Sequence, residues 1–203
     1  MVDPLTLVAF IPAALALNLT PGADMMFCLG QGVRAGPRAA WLASAGIATG
    51  GMIHVLLAGA GLSALIASAP IAFDVIRWIG VTYLLWLAFC ALRNRPRTDA
   101  TLPAPRGRPF RQGLLVNLTN PKVILFVLAF MPQFIRPEAG PVLTQFAIFG
   151  AVIGLGGFAI NGLVGVFASS LGQRLARGSQ ILDWITAGIF TALAGRLALL
   201  ERS

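Results

Sequence analysis

The sequence predicts an all-α membrane protein: six transmembrane helices, built as two three-helix repeats of inverted topology. Three observations carry that prediction. The 203 residues are 57% hydrophobic and 11% charged, with a mean hydropathy of +0.83, outside the range of soluble domains. The apolar residues fall into six stretches, each near or above the roughly 20 residues that cross a bilayer as a helix. The tripeptide Asn-Leu-Thr occurs at 18–20 and again at 117–119, each time followed by proline.

The first stretch, Pro4 to Leu29, follows Met1-Val2-Asp3, where an acid replaces the positive n-region of a cleaved signal. It is therefore expected to be retained. The second, Ala39 to Ala69, is rich in small residues, and Gly46-x-x-x-Gly50 allows close backbone approach between helices. The third, Ile71 to Leu92, begins beside Asp74 and Arg77, which suit an interfacial pair. Arg93 to Pro109 mixes arginines with Pro96, Pro103, Pro105 and Gly107, the composition of a linker. Phe110-Arg111-Gln112 suits the membrane boundary before the fourth stretch, Gly113 to Ile135. The fifth, Val142 to Leu171, repeats the small-residue pattern as Gly150-x-x-x-Gly154, and the sixth, Ile181 to Leu200, carries Asp183 near its start. With connections this short, the whole of 1–203 reads as one transmembrane domain: repeat 1 over about 1–92, linker over about 93–109, repeat 2 over about 110–203.

A net charge of +8 suggests a nucleic-acid binder until its distribution is read. Ten arginines fall in the odd-numbered connections: Arg34 and Arg38, then Arg93, Arg95, Arg97, Arg106, Arg108 and Arg111, then Arg174 and Arg177. Arg77, Arg136 and Arg202 are what the opposite side holds. Cytoplasmic loops collect arginine, so the odd connections are assigned to the cytoplasm and both termini to the outside. The cluster orients the chain and meets lipid, and no nucleic acid is expected.

Asn117 lies 99 residues after Asn18, near half the chain. A repeat of three helices has odd parity, so its second copy enters the membrane from the other side, as in many secondary transporters. Proline donates no backbone hydrogen bond, and in hydrocarbon the carbonyl it frees must find another partner. Broken helices of this kind line binding sites. Asn18, Thr20, Asn117, Thr119 and Asn120 carry the amides and hydroxyls to satisfy that backbone around Pro21-Gly22 and Pro121, or to hold a zwitterion. Asp24 and Lys122 are the charges set deepest in apolar sequence, where an ionisable group costs roughly 2.5–3.5 kcal/mol unless paired or wet. Asp24 is a candidate proton or substrate-ammonium site, and Lys122 its partner or a substrate-carboxylate anchor.

His54, the single histidine, reads as hydrogen-bonded structure, and with no second ligand beside it no metal is expected. Cys28 and Cys90 lie in apolar stretches and behave as small hydrophobes. No nucleophile-base pair, phosphate loop or nucleotide motif appears, so no enzyme and no cofactor is expected.

These residues resemble the LysE/RhtB superfamily of amino-acid exporters. The likeness rests on Asn18-Leu19-Thr20-Pro21-Gly22-Ala23-Asp24, Gly32-Val33-Arg34-Ala35-Gly36, the small-residue helix ending near His54, and Gly80-x-x-Tyr83-Leu84. It continues through Phe110-x-x-Gly113 with Asn117, Asn120-Pro121-Lys122 and Met131-Pro132-Gln133-Phe134. Ala23 departs from it, since the family often carries a second proline there. The resemblance implies a multi-pass exporter of amino acids or related metabolites in the bacterial inner membrane, driven by the proton motive force. Its expected partners are an amino-acid substrate, protons and membrane lipid, with a homodimer among the assemblies allowed. One charge crossing 100 mV contributes about 2.3 kcal/mol, enough for a gradient of order fortyfold. Two rivals from the wider group fit less well. A metal-ion exporter needs more ligands in the bundle, and a thiol electron carrier needs cysteines at equivalent positions, whereas Cys28 maps onto Val127.

Overall fold

In the computed structural model, residues 2–68, 107–167 and 180–199 are described, with scattered helical positions between 75 and 89. Asp74, Arg77, Gly80-x-x-Tyr83-Leu84, Cys90, the arginine-rich stretch 93–106, Arg174 and Arg177 lie outside the described residues, as do the side chains of Asp183 and Arg196. Every described element is helical.

Helix α1 (Pro4–Leu19) starts where Asp3 Oδ2 accepts the Thr6 N–H at 3.2 Å, with Pro4 in the first turn, where its missing donor costs nothing. It ends at the first Asn-Leu-Thr. The apolar stretch to Leu29 is broken where the sequence places the break: Pro21 halts the chain, and a new helix, α2 (Ala23–Ser68), begins two residues later. The arginine-bearing connection expected around Arg34 and Arg38 is very short. It is a kink within α2 at Gly36, whose φ of 81° and ψ of −179° a side chain would resist, followed by Pro37.

The second motif repeats the break. Helix α3 (Pro109–Leu118) stops at Thr119, and α4 (Pro121–Leu125) resumes, capped by Asn120 Oδ1, which accepts the Lys122 N–H at 3.0 Å. The chain then runs through a π turn (Phe126–Phe130) and a 3₁₀ turn (Met131–Phe134). A corner follows, held by Gln145, which accepts from Arg136 N–H and donates to the carbonyls of Arg136 and Gly140. Helices α5 (Val142–Val166) and α6 (Gln180–Leu199) complete the described elements.

Ala23–Gly61 within α2 and the whole of α5 are long and apolar enough to cross a membrane; α3 plus Pro121–Phe134 also qualifies if its 52° bend is one broken span. Large side chains such as Leu5, Val8, Leu57, Leu115 and Leu155 point outward, 61–79% exposed. An apolar exterior suits lipid.

Inside, α2 and α5 cross antiparallel along the centre of the bundle. Val55 meets Gly150, Gly59 meets Leu143 and Phe146, Ser44 Oγ donates to the Phe158 carbonyl at 2.7 Å, and the Trp41 ring covers Gly162. α3 lies along α2 with backbones nearly touching: a Cβ on Gly46 would run into the Phe110 carbonyl, and one on Gly113 into that of Ala43. The fourth stretch is anchored by aromatic rings. Phe10 of α1 sits 4.7 Å from Phe149 and 5.1 Å from Phe134, and Phe126 and Phe130 extend the cluster. These contacts bring the two breaks face to face.

Candidate site at the two helix breaks

A helix carbonyl normally accepts from the N–H four residues on. Leu17 lies four before Pro21, and Asn117 four before Pro121, so each proline removes one such donor. Both losses are made good. Lys122 Nζ reaches across from the second half and donates to the Leu17 and Thr20 carbonyls, each at 2.9 Å. His54 Nε2 lies 3.3 Å from the Asn117 carbonyl, and Asn120 N–H donates to the same oxygen. His54 is thus hydrogen-bonded structure, as its apolar setting predicts. Thr20 and Thr119 turn their hydroxyls back onto the carbonyls of Ala16 and Leu115, closing the last turn of each helix.

Asp24 sits in the first turn of α2, where the helix dipole favours an anion, and is 8% exposed. Its Oδ2 accepts from Asn117 Nδ2 at 2.8 Å. In this arrangement the Asn117 amide gives its nitrogen to Asp24 and leaves its Oδ1 outside the bond. Asp24 Oδ1 and Asn117 Oδ1 are both buried without a hydrogen-bond partner among the described residues. No ion pair joins Asp24 to Lys122 among the described residues. Each is instead held by the opposite half of the chain, Asp24 through Oδ2 by Asn117 and Lys122 by the carbonyls of the first break.

The breaks enclose a cavity of about 40 Å³. Of the residues the sequence singled out, Asn18, Thr20, Asp24, Asn117 and Lys122 line it. Pro21, Gly22, Thr119, Asn120 and Pro121 do not: the prolines create the break, Asn120 caps α4, and Gly22 gives passage to Lys122, whose Nζ would lie 3.3 Å from a Cβ there. Asn18 Nδ2 donates to the Ile153 carbonyl at 3.1 Å, tying the first break to α5. The residue that sequence reasoning passed over is Asn161 of α5, 5% exposed and on the cavity wall. Its signal was present, since a lone amide inside an apolar span is itself a marker. The remaining wall is apolar or small, including Leu17, Met25, Ile47, Val123 and Gly154. No group of three or more His, Cys, Asp or Glu side chains able to hold a metal ion converges among the described residues.

The chain matches the family model of the LysE type translocators over residues 15–201. It is 35% identical over 171 residues to the homoserine/homoserine lactone efflux protein of Salmonella typhi, covering 83% of this chain and 81% of that protein. It is 30% identical over 200 residues to the leucine efflux protein of Enterobacter sp. (strain 638), covering 95% and 94%. No solved structure matches it.

Proposed function

This chain belongs to the LysE type translocator family, and on that premise we propose that it exports amino acids or closely related small metabolites across the bacterial inner membrane, coupled to the proton motive force. The observation that carries the proposal is a buried carboxylate, Asp24, facing a cavity where two proline-broken helices meet. Asp24 and Lys122 are the charges on which substrate and proton act, with Asn18, Thr20, Asn117 and Asn161 as neutral partners.

The two halves are read as an inverted repeat. A 99-residue shift carries Asn18 onto Asn117 and His54 onto Ile153, so the contact of Asn18 with Ile153 becomes that of Asn117 with His54. The same shift turns the contact of Ser44 with Phe158 into that of Gly59 with Leu143. Contacts that exchange when the halves are swapped are the mark of a two-fold axis, and the antiparallel crossing of α2 and α5 fits one in the membrane plane. The halves differ where the charges lie: Lys122 corresponds to Ala23, and Asp24 to Val123. Alternating access then follows from rocking one half against the other around the breaks. At about 40 Å³ the cavity is small beside the ~150 Å³ that accommodates benzene, so the substrate enters a wider conformation than this one.

Relatives named for homoserine and leucine point to small neutral cargo, and a wall that carries a single acid agrees. The test is an export panel in exporter-deficient cells, measuring resistance to and efflux of each amino acid. Efflux of one or more small neutral amino acids is expected; none, from a correctly inserted protein, refutes the proposal. In the same cells an impermeant reagent should label a tag on either terminus from outside, and access from the cytoplasm alone would reverse the proposed orientation.

A further inference from the structure

We infer that the site recognises its cargo by a primary ammonium group held between Asp24 Oδ1 and Asn117 Oδ1, and that a free carboxylate on the cargo is dispensable. This rests on the exporter reading above and adds which end of the substrate is read.

The two oxygens belong to the two residues of one 2.8 Å hydrogen-bonded pair, each being the side-chain oxygen that this bond leaves unused. Both residues line the cavity, Asp24 is 8% and Asn117 2% exposed, and neither Oδ1 has a partner among the described residues. Buried acceptors left unpaired are costly, and what completes them is a donor. A group with several N–H bonds and a positive charge meets both needs, since one of the acceptors is a carboxylate. The Asn117 amide cannot turn to offer its nitrogen instead, because Nδ2 is spent on Asp24 Oδ2 and its own carbonyl is held beside His54.

The carboxyl end of an amino acid finds no comparable site. Lys122, the cation of the cavity, commits two of its three N–H bonds to the Leu17 and Thr20 carbonyls, and withdrawing them would reopen the first break. Asn161 is the remaining amide on the α5 wall. A neutral amide N–H can donate to the carbonyl of an ester or amide and does not require a carboxylate. Around these groups Leu17, Met25, Ile47 and Val123 accept an apolar body.

The test uses the full chain in proteoliposomes, with labelled L-leucine and L-homoserine as probes. Competitors are L-leucinamide and L-leucine methyl ester, which keep the ammonium, and N-acetyl-L-leucine and 4-methylpentanoate, which lack it. The ammonium-bearing pair should inhibit probe transport within about threefold of unlabelled substrate, and the other pair should need at least about thirtyfold more, because a site built around a hydrogen-bonding group rejects analogues without it. Inhibition by N-acetyl-L-leucine comparable to that by leucine, or failure of both carboxyl-blocked compounds to compete, overturns the inference and leaves the exporter reading standing. Transport of neither probe overturns both. Wild-type protein alone decides among these outcomes. In Asn161→Ala the ranking of competitors should persist, and its inversion would likewise contradict the assignment.

Discussion

At the residue scale, the two prolines explain more of the site than any charge does. Each deletes one N–H: the Leu17 carbonyl is met by Lys122 from the other half, and the Asn117 carbonyl by Asn120 N–H, with His54 Nε2 beside it. That a partner was needed is legible in the sequence; that Lys122 comes from 105 residues away is not, because no local pattern encodes it. An unpaired buried carbonyl costs about 1–3 kcal/mol. Lys122→Met should therefore lower the thermal unfolding midpoint in detergent by several degrees, at about 2–4 °C per kcal/mol for a chain of this size. Pro21→Ala restores a backbone donor toward Leu17, so Lys122→Met should cost less in that background. Equal losses in both backgrounds would show that Lys122 does not substitute for the proline's missing N–H.

Among the helices, glycines divide into those that let backbones touch and those that shape the cavity. Spacing alone does not separate them, since Gly46-x-x-x-Gly50 and Gly150-x-x-x-Gly154 look alike. The structure does: Gly46 and Gly113 leave no room for a Cβ against facing backbone, Gly150 abuts Val55, and Gly154 has nothing within 4 Å and lines the cavity. Gly46→Val or Gly113→Val should abolish the monodisperse size-exclusion peak. Gly154→Ala should fold normally and reduce export of larger amino acids more than of smaller ones. A well-folded Gly46→Val protein would mean that α3 does not pack on α2 as described. The helix boundaries were only partly legible for a related reason. Hydropathy shows where the chain is apolar, and Pro4 to Leu29 is apolar throughout, yet one missing N–H is enough to divide it into α1 and α2.

For the whole molecule, composition announces a helical membrane protein, and the repeated Asn-Leu-Thr locates the breaks that build the cavity. What could not be read is how the halves complement each other: the acid lies in one, the cation in the other, and each is held by the opposite break. On the proposed function, Asp24 is the group whose loss should stop export. The direct measurement is proton-gradient-driven transport of labelled leucine and homoserine by wild-type protein and Asp24→Asn, reconstituted side by side at equal yield. The asparagine is nearly the same size and can still accept from Asn117, so the fold should persist. Export by the variant should fall at least about tenfold and lose its dependence on pH. Wild-type rates with an unchanged pH profile would contradict the account, because the buried carboxylate would then have no part in moving substrate or proton.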